Sequence, residues 1–229
     1  MSVEHTPPDE ALEQSIATMG PDLGPVYHRL WNEVAWLHVK WDQYVQLFGS
    51  KPERIDLLNG AAATFFRIVQ DTLWEDTLLH LARLTDPADT GRKSNLTIKR
   101  LAVLVDDALR DDVTGLVETA DDKTAFARDW RNRHIAHRDL RLALGQGAEP
   151  LKPASRLKVK AALEVVAAVL QRICLHYENT QLSFEHFSDA ADAEALLYVI
   201  RDGLEADARR RKRLTEGKIE PEDFTHRPI

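Results

Sequence analysis

Arg131-Asn132-Arg133-His134-Ile135-Ala136-His137 is the stretch of this sequence whose residue types are best suited to chemistry. Between Lys123 and Arg141 stand Lys123, Arg128, Arg131, Arg133, Arg138 and Arg141, opposed only by Asp129 and Asp139. The excess is positive in a chain of formal net charge -7. Two imidazoles, His134 and His137, lie inside it. Arginine binds phosphate oxygens through its planar fork, and an imidazole takes and returns protons near neutral pH. The patch therefore suits phosphate-ester chemistry by general acid–base catalysis.

Helix geometry limits how these groups cooperate. Six residues of ideal α-helix put Arg131 and His137 about 9 Å apart along the axis and about 120° apart around it. Arg133 and His137, four apart, share a face, as do Trp130 and His134. Two readings stay open from geometry. Either Arg131 and His137 line a broad cleft completed by other helices or a second chain, or they do separate structural work. In the second case His137 closes its helix end and Arg131 pairs with an acid such as Asp71 or Glu75.

Other candidates compete. His134, His137 and Asp139, with His80 or Asp86, carry metal-ligand chemistry, but the flanking arginines would repel a divalent cation, so no metal or other cofactor is expected. Arg67, Asp71, Glu75 and Arg83 read as a polar network on one helix. Arg209-Arg210-Arg211-Lys212-Arg213 reads as a solvated helix end, with an RNA-contacting arm as the alternative. Trp31, Trp36 and Trp41 are five apart, which spreads them around a helix and favours packing over stacking platforms. Cys174 sits between Ile173 and Leu175 and reads as a small buried apolar residue. A lone cysteine excludes an internal disulfide and fits a cytoplasmic protein. The acidic total excludes coating nucleic acid by bulk charge, though not a local basic cleft.

Helices must position these groups. Leu30, Val34, Leu37, Trp41, Tyr44 and Phe48 recur at the helical period after Pro25, with Gly49 just past the end. A second helix is predicted over 52–84, bent near Asn59-Gly60 and stopped by Thr85-Asp86-Pro87. A third starts at an Asn95 or Thr97 cap and runs to about Asp107. Helix resumes over 110–120, and the motif helix follows over 121–140. Ser155 caps a helix to about Asn179, and Ser188 or Asp189 caps a last one to about Leu214. No segment alternates like a strand, so the expected fold is an all-α antiparallel multi-helix bundle with no sheet. The expected organisation is a flexible lead-in over 1–22 with a weak helix near Glu10–Met19, one helical domain over 23–214 and a tail over 215–229. The start lacks a basic segment followed by an apolar core, so no signal peptide is expected. No apolar run reaches the roughly 20 residues of a membrane span.

Arg131-Asn132, then Ala136-His137 and Asp139, resembles the signature of the HEPN superfamily, an arginine with a polar neighbour and a histidine after four to six positions. Leu81-Ala82-Arg83-Leu84-Thr85-Asp86, followed by Asn95-Leu96-Thr97-Ile98, looks like the AbiU-type branch associated with abortive infection. The resemblance spans about Trp31 to Arg201. It implies a commonly dimeric bundle with the signature helices of two copies facing each other, and metal-independent RNA cleavage in active members. Carried onto this chain, His137 is the general acid or base, Arg131 stabilises the phosphate, and Asn132 positions a phosphate oxygen or His137. Arg128, Arg133, His134 and Arg138 are then RNA-binding candidates, with Asp86 and Asp139 in support. The implied partners are a second copy, RNA, and an antitoxin or other protein. A non-catalytic module binding RNA, a nucleotide or a protein is the alternative.

Overall fold

The structure, a computed structural model, describes residues 8–49, 51–181, 183–184 and 192–224. The chain is all-α. Among the described residues the one departure is a ribbon of two-residue strands, β1 (Asp89–Thr90) and β2 (Lys93–Ser94), where no sheet was expected. The α-helices are α1 (Pro8–Tyr44), α2 (Pro52–Leu84), α3 (Lys99–Leu104), α4 (Asp107–Trp130), α5 (Leu140–Ala143), α6 (Arg156–Glu178) and α7 (Ala193–Thr215). They form two compact units within the bounds Met1–Asp42 plus Thr72–Phe187, and Gln43–Asp71 plus Ser188–Ile229.

Helix α1 starts earlier than the Pro25 signal suggests. Its first segment covers part of the expected lead-in, and Ser15 and Met19 are buried. Gly20, at φ 85° and ψ 171°, breaks the helix ahead of Pro21. Gly24 then permits a close backbone approach, because a Cβ there would lie 2.5 Å from the Ser15 carbonyl oxygen. Leu30, Val34 and Leu37 are wholly buried, as their spacing predicts. Trp36 is not packed: it is 59% exposed.

The first unit is an antiparallel arrangement, legible from its cross-helix pairs. Tyr27 donates to the Leu170 carbonyl at 3.4 Å, and Thr18 donates to Glu178 at 3.4 Å, so the segments of α1 on both sides of Gly20 touch α6. Asp106 meets His176 at 2.8 Å, and Asp112 meets Arg172 at 2.7 Å, so α4 and α6 run oppositely. The α4–α6 seam is lined by Leu109, Val113, Val117, Leu163, Val166, Leu170 and Ile173. Truncating one such leucine to alanine costs about 2–5 kcal/mol. Asp106 caps α4 by accepting from Leu109 N at 3.1 Å, and His176 beside it holds its carboxyl below the usual range. Ser155 caps α6, and Asn179, at φ 50°, ends it in the left-handed conformation.

Cys174 is wholly buried on α6. Burial first, then its hydrogen bond to Glu178, push its thiol up to about 11. The thiolate is the reactive form, so alkylation at neutral pH is expected to run roughly 100-fold slower than for a free cysteine. Timed iodoacetamide labelling of native and urea-unfolded protein checks this; equal rates would refute it.

The second unit packs Leu47, Leu58, Phe66, Ala193 and Leu197 together. Helix α2 breaks at Ala62 (φ -161°, ψ 72°), two residues past the expected Asn59-Gly60 bend. The expected Ser188 and Asp189 caps lie outside the described residues; Asp192 precedes the first turn of α7. A 3₁₀ turn, Pro221–Phe224, follows in the expected tail. There Asp223 accepts from Arg210 and Arg213, and its carboxyl is held down to about 2, first by the Glu220 backbone N–H. Arg209 and Arg211 pair with Glu205 and Asp207. Four of the five cations in the Arg209–Arg213 run therefore have acidic partners.

Candidate functional site

Helix α4 carries the motif to one end of the first unit. It runs unbroken through Asp121, where a new helix was expected to start, and stops at Trp130, ten residues short of the expected end. Arg131–Ile135 is a π-helical turn. Its closing hydrogen bond runs from Ala136 N to the Arg131 carbonyl at 2.9 Å. Such turns insert one residue into the helical path and recur at functional sites. The α-helical separation of Arg131 and His137 therefore does not apply. His137 lies past the turn, exposed, in a bend leading to Asp139.

A bolt ties the end of α2 to α4 just before this turn. Thr85 and Thr124, both wholly buried, hydrogen-bond through their hydroxyls at 2.8 Å. Arg128 donates to both, at 2.8 and 2.9 Å, and to the Asp121 carbonyl at 2.7 Å. Asp121 also pairs with Lys99 at 2.5 Å. Arg128 is thus engaged by protein oxygens on several sides.

The bolt sets Asp86 beside Arg131. Arg131 Nη1 donates to both Asp86 oxygens at 2.5 Å, and Nε donates to Asn132 Oδ1 at 3.0 Å. Both paired side chains are 21% exposed. The partner is Asp86, not Asp71 or Glu75. A guanidinium has five N–H groups, and the two on Nη2 have no partner among the described residues.

Arg133 faces away from this pair. It donates to Asp129 at 3.4 Å, to the Pro150 carbonyl at 3.5 Å and to the Glu149 carbonyl. Trp130 Nε1 donates to the Lys152 carbonyl at 2.9 Å, and Asp129 accepts from Lys152 N at 2.8 Å. Together they strap residues 149–152 against the motif. His134 stands edge-on to Trp130, with ring centroids 5.4 Å apart, and 3.7 Å from Glu75. Asp139 caps α5 by accepting from Leu142 N at 2.9 Å. Arg138 and Arg141 are exposed, with no ion pair among the described residues.

Two of the donors named for the metal alternative have other partners. Asp86 holds Arg131 and Asp139 caps a helix. No three His, Cys, Asp or Glu side chains gather to hold an ion among the described residues.

A second polar cluster, not foreseen from spacing, lies between α1 and α2. His80 is 2% exposed, with Nε2 2.8 Å from Glu33 and Nδ1 3.2 Å from Lys40 Nζ. Lys40 also pairs with Asp76. A lysine ammonium only donates, so Nδ1 accepts and the neutral ring carries its proton on Nε2. Burial first, then the Lys40 and Arg83 cations, outweigh Glu33 and Asp76 and hold His80 down at about 4. The unfolded chain binds a proton near pH 6.5, so it binds more protons than the folded chain between 6.5 and 4. Stability is complete above that window and falls as pH drops through it. Urea unfolding is expected to lose about 2 kcal/mol from pH 7 to pH 5 at this residue. His80→Gln should flatten that slope; an unchanged slope would refute the assignment.

Comparison with known families bears on this geometry. The family model described as AbiU2, of HEPN type, matches residues 21–196. The chain belongs to the HEPN AbiU2 family. No curated protein and no solved structure matches it. The AbiU2 match contains the π turn, Asp86, the Thr85–Thr124–Arg128 bolt and the strap, all in the first unit. It stops at Leu196, early in α7, so the Arg209–Arg213 run lies beyond the part that defines AbiU2. Among the described residues, no helix is long and apolar enough to cross a membrane.

Proposed function

We propose that this chain is a metal-independent endoribonuclease acting in a cytoplasmic defence or toxin–antitoxin system. The observation that carries this reading is an exposed His137 one π turn beyond an Arg131 braced by Asp86. The 2′-hydroxyl of a ribose attacks the adjacent phosphorus, and the bond to the 5′-oxygen of the next nucleotide breaks. His137 takes the 2′-hydroxyl proton or protonates the leaving oxygen. Arg131 Nη2 faces the charge growing on the phosphate oxygens. Asn132, already on Arg131 Nε, keeps that fork in orientation. The products are a 2′,3′-cyclic phosphate and a free 5′-hydroxyl.

One exposed histidine does not exclude water by itself. Leu140, Leu144 and Leu157 follow the motif and are 70%, 57% and 80% exposed. Apolar side chains so open, with Leu140 and Leu144 next to Arg138 and Arg141 in the chain, suit a face covered by a second copy about a twofold axis. The catalytic unit is then a homodimer with His137 and Arg131 of both copies at one cleft, and an antitoxin would act by covering it. Cleavage of RNA in chelator by wild type and His137→Ala tests the reading. Equal cleavage by both, or none by either, sinks it.

A second reading has its own support. Arg128 and Arg133 are spent on protein oxygens, and Arg131 has a carboxylate partner, as in a non-catalytic module that binds RNA, a nucleotide or a protein. It predicts binding weakened by Arg131→Ala without turnover; cleavage lost in His137→Ala refutes it.

A further inference from the structure

Three residues after Asp86 the chain enters a hairpin that is short, braced and tipped with cations. β1 and β2 pair Asp89 with Ser94 and Thr90 with Lys93, so the loop is Gly91-Arg92 alone. Gly91 has φ 61°, and Arg92 does not share a positive φ. Glycine in the first loop position gives the tight turn whose twist matches the strands. Two strands of this length do not hold unaided.

Side chains supply the brace. Arg100 donates to the Asn95 carbonyl at 2.7 Å, the Ala88 carbonyl at 2.6 Å and Asp89 at 2.8 Å. Asn95 donates from its side chain to the Pro87 carbonyl at 2.8 Å and to Thr90 Oγ1 at 3.0 Å. Ser94 donates to Asp89 at 2.8 Å. Both carboxylates of the segment are thereby matched, Asp86 by Arg131 and Asp89 by Arg100. Arg92 and Lys93 stand exposed, with no ion pair among the described residues. No large apolar side chain occurs between Ala88 and Ser94, so the arm lacks the anchors of a protein interface. Chain length keeps it close: Asp86 and Asp89 are at most about 11 Å apart.

We propose that this hairpin is a fixed arm for single-stranded RNA, with Arg92 and Lys93 holding backbone phosphates that flank the one at Arg131. This rests on the ribonuclease reading above. Point charges on a rigid arm position a strand without reading its bases. Each neutralised phosphate adds about 0.7 to the salt dependence of single-strand binding.

Fluorescence anisotropy with a labelled single-stranded RNA and full-length His137→Ala protein, which binds without cutting, tests this across a salt series. Adding Arg92→Ser and Lys93→Ser should flatten the slope of log affinity against log salt by about 1.4 and weaken binding at least tenfold at low salt. In the catalytic background, the pair should raise KM for long RNA and leave kcat unchanged. An unaltered slope while RNA still binds overturns the arm and leaves the ribonuclease reading standing. No RNA binding at any salt by the His137→Ala protein, together with no RNA cleavage by the wild type, sinks both. A loss seen with a polyglutamate probe but not with RNA assigns the tip to an acidic protein and overturns the proposal.

Discussion

On the proposed mechanism, removing the His137 imidazole is expected to lower RNA cleavage by about 10²–10⁴-fold, the usual contribution of a positioned acid–base group. It leaves the melting temperature in place. His137 lies in an exposed bend past the π turn, and its side chain has no hydrogen-bond partner among the described residues. Substitutions at such surface positions cost within about 0.5 kcal/mol. Loss of activity with the fold intact separates a chemical role from a structural one. His134→Ala is the contrast, because His134 packs on Trp130 and approaches Glu75. That variant should lose stability first and activity less. The composite site adds a further expectation. If the Arg131 and His137 that act together come from different copies, mixing His137→Ala with Arg131→Ala protein restores part of the activity. Cleavage assays on the single and mixed variants, with thermal melts alongside, check all of this. A His137→Ala protein that melts early, or cuts at the wild-type rate, removes His137 from the mechanism.

Much of the scaffold was legible because periodicity and caps are local signals. The bounds of α2 follow from Pro52 and from Thr85-Asp86-Pro87, and Ser155 marks the start of α6 by its own hydroxyl. The site was less legible because its decisive features are long-range. An α turn and a π turn differ by one residue and share the same composition. At Arg131–Ile135 the π turn carries long-range contacts, to Asp86 from Arg131 and to residues 149–150 from Arg133. The acid opposite Arg131 is set by cross-helix register, so Asp71, Glu75 and Asp86 were not separable by spacing. Asp121 looked like a helix start because acids favour first turns, yet it answers Arg128 and Lys99 inside a continuous helix. Thr85 stood out only as part of a helix stop and of the AbiU-like segment, and Thr124 not at all; their pairing at 2.8 Å is set by cross-helix packing. Trp36 shows the reverse error: a large aromatic reads as a packing residue even off the apolar stripe, yet this one faces solvent.

Breaking the Arg131–Asp86 pair is expected to change both stability and activity, whereas His137→Ala changes activity alone. Each side chain is mostly buried, so removing either one strands the other with its hydrogen bonds unmade. Hydrogen bonds to charged groups contribute about 1.5–3 kcal/mol. Asp86→Ala and Arg131→Ala should therefore each destabilise by about 2 kcal/mol, and the double variant by less than their sum. Activity should not follow stability. On the proposed mechanism, Arg131→Ala removes the group that meets charge in the transition state, with an expected loss of about 10²–10³ in kcat. Asp86→Asn keeps the shape but not the charge. If Asp86 positions Arg131, this variant loses kcat while KM for RNA barely moves, because the strand is still held elsewhere. If Asp86 instead masks Arg131 from phosphate, the same variant binds RNA more tightly and cuts faster. Urea unfolding and steady-state kinetics on these variants decide between the two. A gain in kcat for Asp86→Asn would overturn the positioning role, for a carboxylate that only competes with substrate improves the enzyme by leaving.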